Sequence, residues 1–190
     1  MKRTPKGCYG YINYKKKFET IKTIVLFAVS LSLFFAGWYT TKSRMNLLTV
    51  VAILGMLPAS KSAVTMFMIL KSKGCSERVH NLITEWYTKN ECTIYGIFDL
   101  NITTYKATYQ ISHLVVKEKT ICALTETPSS DLQAFEKFIN ESLINGNYKG
   151  YHFKTFEKEE KYLERLAGLS KLEEDENKDM LFDFFMGISL

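Results

Sequence analysis

Apolar residues are unevenly distributed along this chain. From Thr23 to Thr41 the sequence TIVLFAVSLSLFFAGWYTT runs 19 residues without a charge. At 1.5 Å per residue, a helix of that length covers the ~30 Å hydrocarbon core of a bilayer. The pattern predicts a membrane span. A cleaved signal peptide would have a shorter apolar run ending at small residues, whereas here Gly37 is followed by Trp38 and Tyr39, rings suited to the headgroup belt.

A second apolar stretch runs from Met45 to Leu70, interrupted by Pro58 and Lys61. Met45 to Leu57 alone would reach only about 20 Å as a helix, so the crossing must continue past Pro58. A kink is expected there, because proline removes a backbone donor and crowds the preceding turn, with Ser60 or Ser62 available to freed carbonyls. Lys61 has two readings. In one it snorkels to the cytoplasmic headgroups while Ala63 to Leu70 lie in the interface; in the other it is buried in the membrane and pairs with a partner subunit.

After the spans the period of the pattern changes. Val79, Leu82, Ile83, Trp86 and Tyr87 fall at helical spacing within Ser76 to Asn90 and predict an amphipathic helix, with Ser72 and Gly74 before it as a hinge. Four stretches rich in β-branched and aromatic residues follow, Cys92 to Leu100, Thr104 to Tyr109, Ile111 to Val116 and Thr120 to Thr125. They predict a meander of strands with turns at 101–103 and 117–119. In the second, Tyr105, Ala107, Tyr109 and Ile111 alternate with Lys106, Thr108 and Gln110, as on a sheet with one buried and one wet face. Pro128 ends the meander, and Ser130 with Gln133 reads as a capping box for a helix from Asp131 to about Ile144. YHFKTF then reads as a strand and Glu157 to Ser170 as a helix.

The expected fold is a two-helix transmembrane hairpin followed by a small α+β domain of order αββββαβα, with a mostly antiparallel open sheet. The segments are 1–22, a basic cytoplasmic stretch; 23–70, the hairpin, with spans 23–41 and 45–70; 71–170, the cytoplasmic domain; and 171–190, an acidic linker and an apolar terminus. In that last part Glu173, Glu174, Asp175 and Glu176 precede MLFDFFMGISL. Leu181, Phe182, Phe184 and Phe185 either fold back on the sheet as a final helix or form a docking peptide for a groove on another protein.

Charge enters through its placement. Lys2, Arg3, Lys6, Lys15, Lys16, Lys17 and Lys22 precede the first span, and Lys71, Lys73 and Arg78 follow the second, while the connection holds only Lys42 and Arg44. This places both termini and the domain in the cytoplasm, at the cell membrane. The basic segment serves as a topogenic signal and can also rest on anionic lipid. Cys8, Cys75, Cys92 and Cys122 lack the close pairing of a zinc or redox motif and are expected as reduced thiols. The sequons at Asn101 and Asn140 mean little in a cytoplasmic domain.

Little in the chain points to catalysis. There is no glycine-rich phosphate loop, zinc spacing, nucleophile elbow or HExxH. His80, His113 and His152 have no evident acid or nucleophile partner and read as structural. The order of helix, strands, helix, strand resembles the restriction-endonuclease-like core, in which an Asp and an acid-x-Lys pair hold a metal. Asp99 fits the first acid; Glu118 has lysines only at its immediate neighbours, and Glu126 is followed at the required spacing by Pro128.

LPASKSAV, ISHLVVKEKTICALTE and FKTFEKEEKYLERLAGL look similar to uncharacterised two-span membrane proteins of low-GC Gram-positive bacteria. That resemblance implies an anchored cytoplasmic domain and carries no activity and no site residues. The expectation is a scaffold or adaptor that binds a protein partner at the bilayer, with a homo-oligomer through the hairpin as a further possibility. No cofactor, metal or nucleic acid is expected. The alternative is a membrane-tethered metal-dependent hydrolase or nuclease using acids such as Asp99 and Glu126.

Overall fold

Helix formation begins well before the apolar run does. In the computed structural model, which describes residues 4–42, 47–90, 95–104, 107–127, 131–172 and 175–190, helix α1 spans Tyr11–Thr41 and α2 spans Leu47–Lys71. Both are long and apolar enough to cross a membrane. The chain divides into two units, one comprising residues 13–71 and the other residues 1–12 with 72–190.

Within the hairpin unit the two helices run antiparallel along a seam of small residues. Ala52, Ala59, Ser62 and Ile69 are the buried positions of α2, and Thr23 Oγ1 hydrogen-bonds Ser62 Oγ across the seam at 2.8 Å. At Gly55 a Cβ would stand 2.8 Å from Ser30 Oγ. Small residues let helix backbones approach, and paired hydroxyls satisfy each other where lipid offers no partner. Helix α2 continues through Pro58, and Ser60 Oγ donates to Met56 O at 2.8 Å. The start of the expected second span, Met45, and the loop residues Ser43 and Arg44 lie outside the described residues, as do Lys2 and Arg3.

The other unit is built from α3 (Glu77–Lys89), β1 (Gly96–Thr103), β2 (Thr108–Lys117), β3 (Thr120–Leu124), α4 (Leu132–Asn145), β4 (His152–Phe156), α5 (Glu159–Leu169) and α6 (Lys178–Ile188). The sheet has order β1-β2-β3-β4, with the first two pairings antiparallel and the third parallel. Helices cover both faces. On one, Phe135, Ile139 and Leu143 of α4 and Leu181, Phe182 and Phe185 of α6 pack with Leu100, Ile111, Leu114 and Phe153 of the strands. On the other, Val79 and Ile83 of α3 and Tyr162, Leu166 and Leu169 of α5 pack with Val115, Cys122 and Leu124. A two-pronged ion pair from Arg78 to Glu159 ties α3 to α5.

The strand count differs from the sequence expectation. The turn expected at 101–103 lies inside β1, and the stretches expected as Thr104 to Tyr109 and Ile111 to Val116 contribute to one strand, β2. The chain reverses instead at Thr104 and Ala107, where the Thr104 amide donates to Ala107 O at 2.8 Å. The physical reason is a slip in alternation. Asp99 holds a left-handed φ of 57°, so Ile97 and Leu100, three apart, face the same core, as do Ile111 and Leu114 opposite them. Period-2 reading breaks at such a point. Cys92, Tyr105, Lys106, Pro128 and Ser130 lie outside the described residues. The cap of α4 is Asp131, whose Oδ1 accepts the Ala134 amide at 3.1 Å.

Both sheet edges are covered by the chain itself. At β1, the Phe98 amide donates to Gly7 O and the Leu190 amide to Asn101 O, each at 2.8 Å, and Ser189 bridges Ile102. At β4, Asn140 Oδ1 and Glu136 Oε1 of α4 accept the outward amides of Phe153 and Thr155 at 2.9 and 2.7 Å. Two helix side chains four residues apart thus do for β4 what a neighbouring strand would, and covered edges resist pairing with other chains.

Candidate functional site

A polar cluster in the domain is organised by Asp99, a buried carboxylate standing between Phe98 and Leu100 on β1. Asp tolerates the left-handed region better than most residues do, and that conformation turns the side chain out of the strand pattern. Its Oδ1 accepts the Cys75 amide at 2.6 Å and its Oδ2 the Gly10 amide at 2.7 Å. Burial raises the Asp99 pKa, opposed by the amides of Cys75, Gly10, Ile12 and Tyr11. One carboxylate therefore holds both Gly10 and the segment leading to α3.

Glu126, just past β3, completes the cluster from the other side. Its Oε1 accepts the Ser76 amide at 3.0 Å and Ser112 Oγ at 2.6 Å. Burial pushes its pKa up, but hydrogen bonds from Ser112, Ser76 and Cys75 outweigh this and hold the carboxyl below its ordinary range. The Cys75 thiol lies against both acids and is pushed up, first by burial and then by the charges of Glu126 and Asp99. Such a thiol stays protonated and is a poor nucleophile. Gln110 Nε2 donates to Gly74 O at 2.9 Å and its Oε1 accepts Thr127 Oγ1 at 2.8 Å. The segment at Ser72 and Gly74, expected as a hinge, is thus pinned at Gly74 and Cys75, and Ser72 is buried.

A second polar group sits inside the α3–α5 layer. His113 on β2 is fully buried, with Nδ1 2.7 Å from Tyr162 Oη and Nε2 3.2 Å from Tyr87 Oη. Burial, with a smaller contribution from the charge of His80, pushes its pKa down to about 3. The ring occupies space that only glycine leaves open: a Cβ at Gly96 would fall 2.2 Å from His113 Nε2. The neighbouring rings form a chain from Tyr9 through His80 and Phe98 to His113.

Among the described residues, no three His, Cys, Asp or Glu side chains are placed to hold a metal ion. The structure does bring Asp99 and Glu126 to consecutive amides, those of Cys75 and Ser76, while Glu118 stands in the β2–β3 turn with φ 46°. His152 is exposed on β4. Lys61 is exposed on α2. Of the terminal residues, Leu181 and Phe185 are wholly buried, Phe182 nearly so, and Phe184 packs its ring on Tyr148 and Phe185. Leu181, Phe182 and Phe185 thus fold back into the core, and Phe184 is partly buried at its margin. Glu173 and Glu174 lie outside the described residues, and Asp175 accepts Tyr151 Oη at 2.7 Å rather than standing free in solvent.

Sequence reasoning named Asp99 and Glu126 for their acidity and missed what they hold. A signal was present in IFDLNI, where one acid interrupts an apolar strand and must find donors. Compared with family models, curated proteins and solved structures, the chain matches none of them. The function therefore rests on the chain's own geometry.

Proposed function

We propose that this protein is a membrane-anchored scaffold or adaptor, held by the α1–α2 hairpin with both termini in the cytoplasm, whose domain binds a protein partner and performs no catalysis. The observation that carries this reading is the use to which the domain's reactive groups are put. Asp99 and Glu126 accept backbone amides and a hydroxyl, and His113 is buried between two tyrosines. Groups saturated by the chain itself have little left for a substrate. The lysine-rich flanks support the orientation.

A surface is available for the partner where α4 ends and α6 begins. Tyr148 stacks edgewise on Phe184 and its hydroxyl donates to Met180 O at 3.4 Å, while Ile144 and Met180 are each 55% exposed. With both sheet edges covered, partner recognition runs through side chains on this surface rather than through strand addition. A photo-crosslinker at Met180 of the full-length protein in its native membranes tests this. One discrete protein adduct, lost when Ile144→Glu is introduced, is the expected result. No adduct, together with cation-dependent hydrolysis that Asp99→Asn abolishes, would favour the tethered hydrolase instead.

A further inference from the structure

The basic run before the apolar span is carried on the same helix as the span. Lys15, Lys16, Lys17 and Lys22 all lie within α1, and consecutive residues of an α-helix point about 100° apart. Three adjacent lysines therefore sweep about 200° around the axis, and Lys22, seven residues after Lys15, returns close to the direction of Lys15. A protein groove reads one face of a helix. A headgroup layer surrounds it.

This turn holds four lysines, Lys15, Lys16, Lys17 and Lys22, against a single acid. The one acid in it, Glu19, is only 7% exposed, and its Oε2 takes Lys22 Nζ at 3.2 Å. Among the described residues Lys16 and Lys17 make no ion pair. Phe18 and Ile21 stand between the lysines at 49% and 55% exposure, so cationic and apolar groups alternate as at a bilayer interface. Lys17 and Lys15 precede Thr23 by about 9 and 12 Å along the axis. The first distance is close to one Debye length at physiological salt, roughly 8 Å, and the second about one and a half, and lysine side chains shorten both by reaching toward the phosphates.

We propose that the Lys15–Lys17 turn, with Lys22, is a binding collar for anionic phospholipid headgroups. It takes a lipid with net negative charge in preference to a zwitterionic one. The inference rests on reading α1 as a membrane span and adds a lipid specificity to it. A lysine near an anionic surface shifts partitioning by roughly fivefold, so removing three should abolish most of the preference.

The test uses purified full-length protein in phosphatidylcholine vesicles containing spin-labelled phosphatidylglycerol or spin-labelled phosphatidylcholine, with the relative association of the two read by electron paramagnetic resonance. The expected result is a several-fold preference for phosphatidylglycerol that falls toward unity in 1 M salt and in the variant carrying Lys15→Gln, Lys16→Gln and Lys17→Gln. Lys42→Gln, at the other end of α1, should leave it unchanged. A native protein without the preference, or a triple variant that keeps it, would overturn the collar. So would a triple variant that loses a crosslinked protein while its lipid preference persists, since the turn would then be a protein contact. Alkaline carbonate extraction separates the premises: release from the vesicles overturns the span and the collar together, whereas retention without lipid preference overturns the collar alone.

Discussion

Asp99 accepts the amide of Cys75 at 2.6 Å with one carboxylate oxygen while the other holds Gly10, so residues 65 positions apart in sequence are fixed by a single side chain. The two segments it holds are those through which the chain leaves the domain for the hairpin and returns. Asp99→Asn replaces an acceptor by an amide that presents a donor to donors. A loss of roughly 2–4 kcal/mol is expected, measured as a lower denaturation midpoint of the full-length protein in detergent. Asp99→Gly, which relaxes the left-handed backbone but removes both acceptors, should not recover it.

His113 makes stability depend on pH. Its folded pKa is about 3 against 6.5 for the free side chain, so the unfolded chain takes up a proton that the folded one refuses. Stability is therefore full above pH 6.5 and is lost as the pH falls from 6.5 toward 3, by on the order of 4 kcal/mol over the whole window. Denaturant titrations at pH 7 and pH 5 should differ by about 2 kcal/mol in the native protein and by much less in His113→Gln. Gly96→Ala, which meets the His113 ring and Leu114 O, should cost roughly 1–3 kcal/mol at any pH.

Glu136 and Asn140 protect the β4 edge. Replacing both with alanine preserves helix propensity but leaves the Phe153 and Thr155 amides without acceptors, at roughly 1–3 kcal/mol each. Because the freed edge can pair with another copy, light scattering should rise with protein concentration in the double variant and stay flat in the native protein.

Deleting residues 180–190 removes Leu181, Phe182 and Phe185 from the core. At roughly 1.5–3 kcal/mol for each buried side chain, the deletion should abolish cooperative melting of the domain. Met180→Ala, at an exposed position, should change stability by no more than about 0.5 kcal/mol. An unchanged melting temperature after the deletion would return the terminus to the role of a docking peptide.

Long periodic features were the legible part of this chain. The uncharged run after Lys22, the apolar stripe at Val79 and Ile83 and the helical spacing from Leu132 to Leu143 each led to a helix in the expected place, because burial of a face imposes its period on the sequence. The sheet was less legible. The left-handed backbone at Asp99 shifts the alternation within β1, and the shift leaves no mark beyond the acid itself, so one strand fewer formed than the pattern suggested. Helix α1 extends upstream of Thr23 because lysines are good helix formers, and hydropathy sees only the apolar part. The clustering of Asp99, Glu126 and Cys75 could not be read at all, since it depends on which amides the fold carries to the carboxylates.

Labelling of single cysteines in intact cells tests the orientation of the hairpin directly. In a cysteine-free background, one cysteine at a time is placed at Lys2, Ser43 or Leu190 and exposed to an impermeant maleimide. Reaction at Ser43 alone, with Lys2 and Leu190 reacting only after the cells are opened, is the predicted result. Reaction at Lys2 or Leu190 in intact cells would contradict the cytoplasmic placement of both termini and with it the anchored adaptor.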